Sequence, residues 1–216
     1  MKIVNQSFEI LTPLDADAAY KRIESVARTC YKSEAQITDT SAHKMVSNLV
    51  KRNHWAMLEH VCISVKFITD RGVSHEIVRH RVASYAQEST RYCNYGADKF
   101  DGEITVIRPS AFQEGSFEYV MWESACERAE DMYIRLIGDG VSPQWARSVL
   151  PTCLKTEIVV TMNLREWMHF FNLRAVGTTG APHPQIKELA MPLLEVFANV
   201  FPEVFGEQYY LALKED

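Results

Sequence analysis

Arg79-His80-Arg81, followed by Ser84, Gln87, Ser89 and Arg91, gathers guanidinium, imidazole, amide and hydroxyl groups in one short stretch of an otherwise acidic chain, whose formal net charge is -5 at pH 7. A guanidinium is a planar fork of donors that fits phosphate bidentately, and hydroxyls complete such cradles, so this mixture suits a phosphate-bearing ligand such as a nucleotide. On these residues alone a second reading stays open: a solvated basic turn whose arginines pair with Glu76 and Glu88. Arg147, within Trp145-Ala146-Arg147-Ser148-Val149-Leu150-Pro151, and Arg174, after an aromatic-rich run, sit in apolar company. Both are therefore expected to be partly buried and to need partners. Arg165, His169 and Asn172 follow i, i+4 and i+7 spacing, a polar stripe that fits either a polar ligand or the solvent face of a surface helix.

Other chemistries lack their signals. His75-Glu76 and His80 look like a zinc-protease helix, but a five-residue spacing puts the two histidines about 140° apart on a helix. They cannot share a metal there, no CxxC or Cys-His cluster replaces them, and no metal is expected. Cys153, after Pro151-Thr152, has no visible base to activate it, and all five cysteines (Cys30, Cys62, Cys93, Cys126, Cys153) read as reduced, mostly buried thiols. GxSxG, P-loop and GxGxxG motifs are missing, so any nucleotide or flavin must be held in another way.

The elements that must position these groups follow from periodicity. The 216 residues, 47% hydrophobic and 24% charged, suit one globular domain spanning 1–216. The negative charge argues against a nucleic-acid partner, and no apolar run reaches the roughly 20 residues of a membrane span, so a cytoplasmic protein is expected. Strands are predicted at Ser7 to Leu11, His60 to Phe67, Ile104 to Ile107 and Thr156 to Met162. Helices are predicted from Asp15 to near Cys30, from a Ser41 cap, from Ser74 to Arg79, from Ser116 to Ile137, from Ser142-Pro143 to Pro151, from Leu164 to Arg174, and from Gln185 to Val200. The expected class is α+β, with several long helices and a small antiparallel sheet.

Taken together, the segments resemble the flavin-dependent thymidylate synthases, whose signature is Arg-His-Arg, seven arbitrary residues, then Ser, here Arg79 to Ser89. Further matches are Ala27-Arg28-Thr29-Cys30-Tyr31, His54 with Leu58-Glu59-His60, Ala146-Arg147 with Leu150-Pro151, Asn163-Leu164-Arg165, Asn172-Leu173-Arg174 and His183-Pro184-Gln185-Ile186. The resemblance implies a single mixed α/β domain and a homotetramer with FAD sites where subunits meet. The implied substrates are dUMP, 5,10-methylenetetrahydrofolate and NADPH, giving dTMP without an enzymic nucleophile. It further implies dUMP contacts at Glu76, Arg79, Gln87, Ser89, Thr90, Arg91 and Arg147, with Ser89 and Arg91 on the phosphate. Arg174 would polarise the uracil edge and favour ionisation at N3. Flavin contacts are implied at Ala56, Glu59, Arg79, His80, Arg81, Gln87, Asn163, Arg165 and His169, with His54 and His183 in the folate and flavin neighbourhood.

The chain departs from that pattern at Ala86-Gln87, where the family often carries Asn-Glu, and at Ala56, where Ser or Thr is common. The segment Val176 to Pro182 is longer than in some relatives. Two rival readings accompany the enzyme: a silent nucleotide binder that holds no flavin, and a helical oligomerisation protein whose arginines form inter-subunit ion pairs.

Overall fold

A computed structural model of the chain describes residues 1–212 and 214, without the side chain of Gln208. Six strands and seven helices of four residues or more are labelled in chain order: β1 Lys2–Val4, β2 Ser7–Ile10, α1 Ala16–Thr29, α2 Ser41–Lys51, β3 Cys62–Asp70, α3 Arg71–Ile77, β4 Ala83–Gln87, β5 Thr105–Ile107, α4 Phe117–Gly138, α5 Pro143–Ala146, β6 Lys155–Asn163, α6 Leu164–Phe171 and α7 Pro184–Val200. A 3-10 turn covers Trp55–His60, and π-helical turns cover Asn172–Val176 and Pro202–Gly206. The α+β expectation holds.

Two compact units divide the chain, the first comprising Met1–Phe8, Lys66–Arg79 and Tyr85–Val159, the second Glu9–Val65, His80–Ser84 and Val160–Asp216. Four strands form one sheet in the order β2-β3-β6-β4, and the unit boundaries fall inside all four strands. In the first unit the Arg71 amide, just past β3, donates to the carbonyls of Thr152 and Leu154 at 3.0 and 3.2 Å; in the second, the Leu164 amide, just past β6, donates to Val61 at 3.0 Å. The end of β3 thus meets the start of β6 and the reverse, which is the antiparallel arrangement expected. β1 and β5 form a separate parallel pair in register Lys2↔Thr105, a pairing that three-residue strands leave unreadable in sequence.

The core of the first unit joins Tyr95, Ile104, Val106, Cys126, Tyr133, Ala146 and Leu154. That of the second is aromatic, with Trp167, Phe170, Phe171, Phe197, Phe201 and Phe205 buried, and the Trp167 indole N–H satisfied by the Ile63 carbonyl at 3.2 Å. Along β6 alternate residues Thr156, Ile158, Val160 and Met162 are buried, the period of two that a half-covered strand imposes.

Several element boundaries differ from the sequence expectation. α3 begins at Arg71 rather than at Ser74, because Asp70 Oδ1 accepts from the Val73 amide at 2.6 Å and caps the helix; the Ser74 hydroxyl instead donates back to the Arg71 carbonyl at 2.9 Å. Ser41 is the first residue of α2, not its cap, since its hydroxyl is turned to Thr38 and Glu24. β4 has no counterpart among the predicted strands. Leu164 to Arg174 is not one regular helix: after Phe171 the backbone widens into the π turn, and the Asn172 carbonyl accepts from the Gly177 and Thr178 amides, each at 2.9 Å. Such widened turns recur at functional positions.

Candidate functional site

In the second unit, α6 starts where Asn163 Oδ1 caps it by accepting from the Glu166 amide at 2.8 Å. Asn163, Arg165, Glu166 and His169 then line a cleft of about 490 Å³ with Glu59, Trp55, Met168 and Asn172. The polar stripe therefore borders a recess, with Arg165 and His169 still exposed. Arg165 Nη1 lies 2.5 Å from Glu59 Oε1, joining α6 to the 3-10 turn. Arg165 and Trp55 also border a larger, more apolar cavity of about 650 Å³, lined besides by His54, Ala56, Leu49 and Met57. His54, Ala56, Glu59, Asn163, Arg165 and His169 thus gather around two recesses that share Trp55 and Arg165.

His80 is buried beside this cleft, its ring 5.3 Å from that of His169 and 5.1 Å from that of Phe170. Burial, then the positive charge of Arg174, then His169, lowers its pKa to about 3, so the imidazole is neutral at any physiological pH. Arg174, half-buried in the π turn, donates Nε–H to His80 Nε2 at 3.2 Å. A guanidinium cannot accept, so the hydrogen-bond network puts the imidazole proton on Nδ1, 3.6 Å from Glu166 Oε1. Burial raises the Glu166 pKa against the opposing pull of His169 and Arg165. His80, Glu166 and His169 offer ligand atoms within 4.8 Å of one another, yet the fixed charge of Arg174 on the same imidazole works against a cation there.

In the first unit, Ser89, Thr90 and Arg91 follow β4. Thr90 is buried and its hydroxyl accepts from Arg147 Nη1 at 3.3 Å; Ser89 Oγ accepts from the Arg91 amide at 3.3 Å; Arg91 Nε donates to Gln144 at 3.2 Å. These contacts bring the loop after β4 against α5 and the turn Arg147–Val149. Arg79, Arg91 and Arg147 are all exposed, which corrects the expectation of a partly buried Arg147: Ala146 takes the core position, and the arginine is left pointing outward. The ion-paired basic turn is also disfavoured at Glu88, whose carboxylate accepts from the Tyr95 hydroxyl at 2.7 Å and from Lys155 at 3.2 Å. Exposed guanidiniums beside hydroxyls can take an anion.

Not every expected residue joins these groups. Gln87 spends its amide N–H groups on Ser74 at 2.9 Å and Thr156 at 3.2 Å, tying β4 to α3 and β6 within the first unit. His183 caps α7, its Nδ1 accepting from the Gln185 amide at 3.2 Å. Glu76 is half-buried on α3, and Arg81 is exposed. Glu166 and Trp55 were missed by sequence reasoning; the i, i+3 spacing of Glu166 to His169 on the polar stripe was the available signal for the first, and Trp55 gave none.

A mixed α/β fold with an arginine and hydroxyl loop in one unit and a polar cleft bordered by Trp55 in the other describes a class of protein suited to a phosphate-bearing ligand. Residues 14–203 match the Thy1 family, described as thymidylate synthase complementing protein, and the chain belongs to that family. It is 32% identical over 201 residues to the flavin-dependent thymidylate synthase of Geobacter sulfurreducens, covering 89% of this chain and 82% of that one. With the enzyme of the same name from Sulfurisphaera tokodaii it shares 35% over 174 residues, 80% of this chain and 64% of the other. Among solved structures, the UMP/dUMP methylase PolB from Streptomyces cacaoi bound with 5-Br dUMP superposes with a TM-score of 0.78 at 23% identity, covering 98% of this chain and 97% of that one, a likeness of fold.

Proposed function

We propose that this protein is a flavin-dependent thymidylate synthase that methylates dUMP to dTMP with 5,10-methylenetetrahydrofolate as carbon donor, NADPH as reductant and FAD as cofactor. The observation that carries the reading is the gathering of Glu59, Asn163, Arg165 and His169 on one cleft. The residues fit the cofactor: the clefts combine the Trp55 indole with guanidinium and amide donors, a wall that suits a planar ring system bearing phosphates. FAD supplies a hydride; the chain's own groups bind, orient and polarise.

Arg91, with Ser89, Thr90, Arg147 and Arg79, holds the nucleotide phosphate, and Glu76 and the amide oxygen of Gln87, whose N–H groups are committed to Ser74 and Thr156, complete the dUMP contacts. Arg174 sets its permanent charge on the uracil edge, which stabilises negative charge developing at N3 and raises the nucleophilicity of C5. Neutral His80 accepts from Arg174 without competing for that charge, and so serves as its positioning residue. Arg81, Ala56, Arg79 and Gln87 belong with His80, Glu59, Asn163, Arg165 and His169 on the flavin side, Ala56 through its backbone. His54 and His183 belong to the folate and flavin neighbourhood.

The chain acts as one functional domain, in the cytoplasm, as a homotetramer. The support for self-association is the apolar stripe Phe117, Val120 and Met121 on α4, exposed at 75%, 52% and 53%. An anaerobic visible spectrum tests the function: a yellow protein should bleach with NADPH and dUMP, then recolour on adding methylenetetrahydrofolate while dTMP accumulates. A colourless protein that takes up no added FAD sinks the proposal.

A further inference from the structure

In the first unit, Cys126 on the inner face of α4 and Cys153 in the segment leading to β6 bring their sulfurs to 3.4 Å. Cys126 is 2% exposed within the core, while Cys153 is half-buried at its edge, so one thiol of the pair is open to a small reagent and the other backs it. We propose that Cys126 and Cys153 form a redox-active thiol pair, a modification site that hydrogen peroxide converts to a disulfide and a small thiol reductant restores. Cys153 is the attacking sulfur. Hydrogen bonding from the Cys126 thiol lowers its pKa against the opposing effect of burial; the Cys126 thiol keeps the shared proton and is raised accordingly.

The Cys153 thiolate attacks one peroxide oxygen, the O–O bond breaks, and hydroxide leaves to be protonated to water. Cys126 gives its proton to the resulting sulfenic oxygen as its sulfur attacks Cys153; the S–O bond breaks and a second water departs. Two electrons pass from the sulfurs to the peroxide, and one S–S bond is formed. Closing 3.4 Å to the roughly 2.0 Å of a disulfide draws α4 and the 151–154 segment together. That segment follows the turn holding Arg147, and its Thr152 carbonyl accepts from the Arg71 and Gly72 amides at the start of α3. Oxidation therefore shifts the support of Arg147 and of α3, which carries Glu76. This consequence rests on the dUMP reading; the pairing itself does not.

Thiol titration of the denatured wild-type protein after peroxide treatment should fall from five free thiols to three, the loss of this pair, and return to five with dithiothreitol. Peptide mapping without reduction should find Cys126 linked to Cys153, and Cys126→Ser should instead leave a dimedone-reactive sulfenic acid at Cys153. Five persisting thiols, or a bridge through Cys30, Cys62 or Cys93, overturns the proposal. The oxidised protein should bind dUMP about fivefold or more weakly; an unchanged constant overturns the coupling to Arg147. Reduced protein that binds no dUMP counts against the proposed function, while the thiol count still decides the pair.

Discussion

Arg174 and His80 show how a charged residue and a buried imidazole constrain one another. With His80 neutral, Arg174 keeps an acceptor on Nε. Arg174→Ala should leave flavin content and assembly intact and lower the rate of dTMP formation by about 10²-fold or more, the usual cost of one transition-state donor. Turnover within a few fold of wild type would remove it from catalysis. Arg91→Ala should raise the dUMP dissociation constant about tenfold or more, since a charged contact to phosphate is lost from ground and transition states together. A wild-type constant by calorimetry would refute the phosphate assignment. His80 also predicts an acid sensitivity. Its folded pKa, about 3, lies below the unfolded value near 6.5, so the unfolded chain takes up a proton that the folded one refuses. Stability should therefore fall as pH drops from about 6.5 toward 3, and His80→Gln should flatten that part of the profile in urea unfolding at pH 7 and 4.5. Equal slopes in the two proteins would refute it.

At the scale of elements, the π turn and the glycine that ends it set where Arg174 stands. Gly177 has φ +78°, and a Cβ there would lie 2.8 Å from both the Gly180 carbonyl oxygen and Pro182 Cδ. Gly177→Ala should lower the unfolding free energy by about 1–3 kcal/mol and reduce turnover, with the dUMP phosphate contacts unaffected. Unaltered stability in chemical denaturation would mean that the turn relaxes around a side chain. The helix caps were readable where a side chain serves its own next turn, as at Asp15 and Ser116, whose oxygens accept from Ala18 and Tyr119. Ser74 misled because the same helix offered an earlier cap in Asp70. β4 was unreadable because its hydrogen-bonding partner, β6, lies some seventy residues on.

Over the whole molecule, no helix among the described residues is long and apolar enough to cross a membrane. The homotetramer proposed from the exposed apolar stripe of α4 is tested by its mass. Light scattering should give four times the 24.7 kDa chain mass, and Met121→Asp should shift that mass downward. A wild-type monomer would sink the homotetramer.

By itself the sequence determined residue types and local periods: the anion-seeking arginines, the polar stripe of α6, the long helices and the absence of a metal-spaced helical His pair. These are properties of neighbours along the chain, fixed by 3.6- and 2-residue repeats. Only the tertiary structure decided which distant residues meet. It set the stripe along a cleft, set Arg174 on His80, committed Gln87 to Ser74 and Thr156, exposed Arg147, and brought Cys126 against Cys153. Each of these contacts depends on packing between segments far apart in sequence, whose register no local pattern encodes.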